Sequence, residues 1–152
     1  MEFIIGLILA GGFFLLIIVF VLYLLGAIGL YKLADNKGID YSFLAFIPIL
    51  QSYIIGKIIA DLEIFNIKVP NPAIALPVAP IIASILTPIT VMGLLAIVSV
   101  IILNIAAIHK LYKIYVGDSA TLYTVLSVVL PFLQPILIFT IRNKQPKHIS
   151  LI

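Results

Sequence analysis

Four apolar stretches, at positions 3–30, 43–60, 73–107 and 122–141, fill most of a 152-residue chain, and the charges fall in short clusters between them. The stretches are apolar on every side. A helix on the surface of a water-soluble domain carries a single apolar stripe, and the strands of a membrane barrel alternate apolar and polar residues. Neither pattern is present. Crossing a hydrocarbon layer takes about 20 consecutive apolar residues in a helix, and backbone groups in lipid must be satisfied inside helices or a closed barrel. The pattern therefore predicts an all-α, polytopic integral membrane protein, one membrane domain over 1–152 with three to five membrane segments.

The first helix is expected over 3–33, ~45 Å long against a ~30 Å core, so it must tilt or project. Gly6 and Ala10, and Gly11 with Gly26 and Gly29, offer small faces for close helix packing. Asp35-Asn36-Lys37-Gly38 reads as a turn, with Asp40 as N-cap of a segment over 41–57 that carries Pro48 at its centre. Asp61, Glu63 and the Pro70-Asn71-Pro72 linker place the next stretch outside the core. Pro77, Pro80 and Pro88 make 73–87 doubtful as a span. The cleanest internal span is 89–108, with Gly93, Ala96, Val100, Asn104 and Ala107 on one face. Gly117-Asp118 turns the chain, with Asp118 or Ser119 as N-cap. A last segment over 120–141 is broken by Pro131 and Pro135 and leads to a basic tail of Arg142, Lys144, Lys147 and His148.

Leu30-Tyr31-Lys32 returns as Leu111-Tyr112-Lys113, and Pro48-Ile49-Leu50-Gln51 is echoed by Pro131-Phe132-Leu133-Gln134. The halves 3–60 and 84–144 thus share an order: long helix, Tyr-Lys collar, turn, Pro-broken segment. The echo reads either as internal duplication, as in small transport folds, or as chance matching in an apolar sequence. The broken segments read either as kinked spanning helices or as re-entrant hairpins tipped by Pro-x-Leu-Gln. Full spanning divides the nine lysines and arginines almost evenly between the two sides. Two re-entrant hairpins, with 73–107 folded back near Pro88, put all nine on one side, as the positive-inside tendency favours.

Composition agrees with lipid as the solvent. Charged residues are 10% of the chain, against roughly 25% in soluble domains, and mean hydropathy is +1.33. A net charge of +3 is better read as topology than as affinity for nucleic acid. There is no cysteine, hence no disulfide framework or thiol chemistry. Met1-Glu2 lacks a positive n-region and the following apolar run is too long for an h-region, so an uncleaved first helix is expected. The location implied is the cell membrane, as a multi-pass protein.

Candidate chemistry is sparse. The two histidines, His109 and His148, and the acids in turns form no catalytic set, no metal spacing and no phosphate loop. No enzyme activity, metal or cofactor is expected. Polar groups inside apolar segments are costly in lipid and mark the better candidates: Gln51, Gln134 and Asn104, with Pro48 and Pro131 shaping the two tips. Gln51 and Gln134 either line a polar path or hydrogen-bond a neighbouring helix or a carbonyl freed by proline, and Asn104 reads as a bond between helices. Lys32, Lys110, Lys113, Arg142 and Lys144 suit anionic lipid headgroups. The seven tyrosines mostly flank these clusters, as an interfacial belt would.

The run Phe46-Ile47-Pro48-Ile49-Leu50-Gln51-Ser52-Tyr53-Ile54-Ile55-Gly56-Lys57-Ile58, with the later Leu130-Pro131-Phe132 and Pro135-Ile136-Leu137, resembles a pattern in small bacterial multipass membrane proteins of undefined function. Some of those are encoded near signal peptidases. The resemblance covers about 30–142 and departs at Gln51, where the pattern prefers Asn, and in lacking the usual Trp. It implies a multipass architecture and no particular activity. The function expected is that of a structural or accessory subunit, partnered by the bilayer and by itself or another membrane protein. The alternative is a small oligomeric transporter or channel with Gln51 and Gln134 along its path.

Overall fold

A computed structural model describes residues 1–87 and 90–146. Among these there are six α-helices: α1 (Glu2–Asn36), α2 (Pro48–Ile59), α3 (Pro72–Leu86), α4 (Thr90–Val116), α5 (Ala120–Val129) and α6 (Leu133–Ile141). Short 3-10 turns lie at Ser42–Phe46 and Gly117–Ser119. The expected Pro88, Lys147 and His148 fall outside the described residues. The all-α expectation holds, apart from a two-strand hairpin, β1 (Glu63–Ile64) and β2 (Ile67–Lys68), paired antiparallel. Its Phe65-Asn66 turn has φ of 51° and 64°, the mirror-image turn that suits a tight hairpin. Two stretches, Ile4–Asn36 and Val91–Val129, are long and apolar enough to cross a membrane; α2 and α3 are shorter apolar helices.

The prolines act differently from expectation. Pro48 is not inside a helix but opens α2, where its missing N–H costs no bond. The carbonyl it would have left free, Leu44 O, takes the Ile47 N–H instead (3.0 Å). Pro131 sits in the break between α5 and α6. Each Pro-broken segment is therefore two limbs joined at a proline tip rather than one kinked helix. Pro77 and Pro80, by contrast, are tolerated inside an unbroken α3.

Helix directions follow from three contacts. Lys37 Nζ donates to Ile58 O (2.6 Å), Asn36 Nδ2 donates to Arg142 O (3.1 Å), and Lys110 Nζ lies 3.0 Å from Asp61 Oδ2. The C-terminal ends of α1, α2, α4 and α6 thus gather at one pole. Both Pro-broken segments leave this pole and return to it. α3 starts there, beside Gly56 of α2, and its far end meets Gly93 near the start of α4. The described lysines and Arg142, together with Asp35, Asp40, Asp61, Glu63 and Asp118, all sit at or near this pole.

The core lies in the charged half. Leu30, Leu33, Ala34, Ile54, Ile58, Leu76, Leu111, Tyr112, Tyr115, Ile138 and Ile141 are buried together. Tyr112 and Tyr115 are 0% and 1% exposed, so they belong to the core and not to an interfacial belt. Among the described residues nothing packs against the N-terminal part of α1. Its described large apolar side chains from Ile4 to Val21 are exposed, and Gly6, Gly11 and Gly12 face open space. Gly26 and Gly29 do pack, against Pro135 and Ile138 of α6. Asp40 caps nothing: Tyr41, in left-handed conformation, precedes the 3-10 turn. α5 likewise starts without a side-chain cap from Ser119.

Candidate functional site

The two proline tips deliver the two glutamines to the same place. Ile47 is extended (φ −106°, ψ 119°), Pro48 fixes the start of α2, and Gln51 N donates to Ile47 O (2.9 Å), so Gln51 sits in the first helical turn. In the second hairpin Leu133 N bonds Leu130 O (2.8 Å) and Gln134 N bonds Pro131 O (3.2 Å), which sets Gln134 in the first turn of α6. Both side chains are half-buried. Both line one half-open cavity of about 230 Å³ between α1, α2 and α6, together with Tyr23, Gly26, Leu30, Ile55, Pro135 and Ile138. Gln134 and Ile55 also line an adjoining cavity of about 130 Å³, shared with Asn104, Ile108 and Ser127. The sequence-derived pair is thus brought together, with Asn104 next door.

Distance from the charged pole can be read along α1. Pro135 faces Gly26, ten residues before Asn36, which marks the charged pole. At ~1.5 Å per residue the Gly26 end of the cavity lies ~15 Å from that pole.

Among the described residues neither glutamine amide has a hydrogen-bond partner. The expected alternative, capture by a proline-freed carbonyl, does not occur: Leu44 O and Pro131 O already accept backbone N–H groups. Tyr23 is also spoken for, since its hydroxyl donates to Phe46 O. Asn104 does not bond another helix. It is exposed and donates back to Val100 O of its own helix (2.9 Å). The polar bonds between α4 and α5 are made by residues the sequence reading passed over. Tyr112 OH and Ser127 Oγ lie 2.8 Å apart, and His109 Nδ1 lies 3.0 Å from Thr124 Oγ1. The Thr124 hydroxyl donates to Ala120 O (2.8 Å), so the histidine ring N–H is the donor toward threonine. The i, i+3 spacings His109/Tyr112 and Thr124/Ser127 were the available signal.

The basic candidates divide. Lys32 lies 3.6 Å from Asp35, and Lys110 is paired with Asp61. Arg142 stacks over the Phe139 ring, 3.8 Å from its centroid, and donates to Phe139 O. Lys113 and Lys144 are exposed. Among the described residues no three His, Asp or Glu side chains gather where they could hold a metal ion.

The fold and site define a small helical protein with two proline-tipped hairpins closing on one amide-lined cavity. No family model matches the chain, and neither the curated proteins nor the solved structures searched hold a match.

Proposed function

We propose that the chain is a multipass protein of the cell membrane whose two re-entrant hairpins form a solute path, working as a small transporter or channel in an oligomer. The observation that carries this reading is the pair of unpartnered amides, Gln51 and Gln134, facing one cavity. Both amides are half-buried in an otherwise apolar wall; polar side chains within apolar segments are costly in lipid, and a path is a use that offsets the cost. In this reading α1, α3 and α4 cross the bilayer and the charged pole lies on the cytoplasmic side. α3, ~22 Å at ~1.5 Å per residue, is short for a crossing and calls for local thinning of the bilayer.

The accessory-subunit reading draws on a different observation, the N-terminal part of α1, whose large apolar side chains are exposed among the described residues. The two readings are compatible if that helix joins protomers.

Topology is tested first. The chain has no cysteine, so single Lys68→Cys, Asp118→Cys and Thr87→Cys variants report cleanly. Lys68 and Asp118 should label from the same side of sealed vesicles and Thr87 from the other. Labelling of Lys68→Cys and Asp118→Cys from opposite sides would overturn the re-entrant arrangement. The path is tested by reconstitution: if Gln51→Leu with Gln134→Leu leaves permeability to water, urea, glycerol and salts unchanged, there is no path through this cavity.

A further inference from the structure

We propose that the Gln51–Gln134 cavity passes small uncharged solutes that both donate and accept hydrogen bonds, of the urea and glycerol type, and rejects ions. This rests on the path reading above and specifies its substrate.

The chemistry of the lining selects. Each primary amide carries an NH₂ donor and a carbonyl acceptor, and both amides are unpartnered. Together they match a solute bearing hydroxyl or amide groups, which likewise needs both kinds of partner. The remaining wall is Leu30, Ile55, Pro135 and Ile138 with the Tyr23 ring, so an entering solute gives up part of its water. For a neutral polar group that loss is a few kcal/mol, offset by the amides; for an ion it is far larger unless an opposite charge is present. None of the residues lining this cavity or the adjoining one is charged. The nearest described charge along α2 is the ammonium of Lys57, six residues (~9 Å) beyond Gln51 and held over the Tyr53 ring, 5.6 Å from its centroid; no carboxylate is among the lining residues to offset a cation's loss of water. The first turns of α2 and α6 face the cavity, and the partial positive charge of helix starts adds to the barrier for cations.

Size points the same way. At ~30 Å³ per water, 230 Å³ equals roughly seven waters, or one solute of a few heavy atoms with some water beside it. Gly26 is part of that room. A Cβ there would come 3.0 Å from Pro135 Cβ, so the glycine sets how closely α1 and α6 approach at the cavity wall.

The full chain is reconstituted into proteoliposomes, and urea and glycerol entry is followed by stopped-flow light scattering, with rubidium uptake and chloride efflux measured in parallel. The expected result is entry of urea or glycerol several-fold faster than in protein-free vesicles. Gln51→Leu with Gln134→Leu should bring it back to background, with rubidium and chloride at background throughout. Gln134→Glu, which sets a carboxylate in the cavity, should raise rubidium uptake above the parent, a gain that misfolding does not produce. Rubidium or chloride flux in the parent that vanishes in the double leucine variant overturns the neutral-solute proposal and leaves the path standing. Background rates for every probe in the parent overturn both.

Discussion

In the first hairpin a five-residue 3-10 turn, Ser42–Phe46, leads inward to Pro48; in the second a ten-residue α-helix, Ala120–Val129, leads to Pro131. Both nevertheless bring a glutamine to the same cavity. Chain geometry reconciles them. A 3-10 helix rises ~2.0 Å per residue against ~1.5 Å for an α-helix, and the first limb adds the extended Ile47. The limbs are also held differently. The first leans on α1 through the Tyr23 hydroxyl on Phe46 O and the Tyr31–Phe46 ring contact (5.8 Å between centroids). The second is tied to α4 by the His109–Thr124 and Tyr112–Ser127 bonds. Equal placement of the two glutamines is kept while sequence, helix type and attachment differ. What the hairpins share is the proline, the glutamine in the next turn, and an exit held by α1, through Lys37 on Ile58 O and Asn36 on Arg142 O.

The returning helices dock through glycines, and there the hairpins are most easily broken apart. A Cβ at Gly56 would lie 2.4 Å from Ala73 Cα, and one at Gly29 would lie 2.9 Å from Ile138 C and Phe139 N. Backbone cannot yield as a flexible side chain does. Gly56→Ala should destabilise the first hairpin by about 2–3 kcal/mol and Gly29→Ala the second by about 1–2 kcal/mol, read as falls in Tm in detergent. Gly11→Ala, with nothing within 4 Å, is the control and should hold or gain slightly, since alanine favours the helix by up to about 1 kcal/mol. Equal losses at all three positions would refute the docking contrast.

A smaller effect separates the two attachments. Tyr112→Phe leaves the buried Ser127 hydroxyl without its partner and should cost about 1 kcal/mol. Tyr31→Phe touches only a ring contact on the first limb and should cost less. Hydrogen exchange localises each loss: faster exchange over α5 for Tyr112→Phe, none there for Tyr31→Phe. Protection lost equally over both limbs in either variant would erase the distinction.

Much of this contrast was legible in the chain. Apolar runs without periodicity gave helices, and the placement of nine basic residues favoured hairpins that return to one pole. The Pro-x-Leu-Gln echo brought Gln51 and Gln134 forward as a pair. What stayed hidden was what packing decides. The role of Pro48 depended on whether it fell inside a helix or at its first residue, a shift of a few positions that composition does not record. Tyr112 and Tyr115 look like interfacial residues beside lysines, yet α4 buries them because its last turns run through the core. The Gly6–Ala10 and Gly26–Gly29 faces are alike as sequence. Among the described residues only the second has a helix against it, and the partner, α6, lies more than a hundred residues away.

The mildest prediction concerns the exit clamp. Burial lowers the pKa of the Lys37 ammonium below the usual lysine value, and the nearby Asp61 carboxylate restores part of the drop. With its folded pKa depressed, Lys37 holds fewer protons in the folded chain than in the unfolded one as pH climbs toward 10.5, the lysine reference value. Stability from this group therefore rises with pH across that window, and its penalty is complete below the folded pKa. Lys37 as a whole is exposed, so solvent screening keeps the effect small. The bond from Nζ to Ile58 O survives deprotonation, because a neutral amine still donates. The Tm difference between the parent and Lys37→Met, in which tyrosine titration cancels, should widen in the parent's favour between pH 8 and pH 10.5. A difference that narrows over that range would mean that the charge on Lys37, and not its bond to the end of α2, holds the first hairpin at the pole. Asn36→Ala, which releases only Arg142 O, should show no such pH dependence.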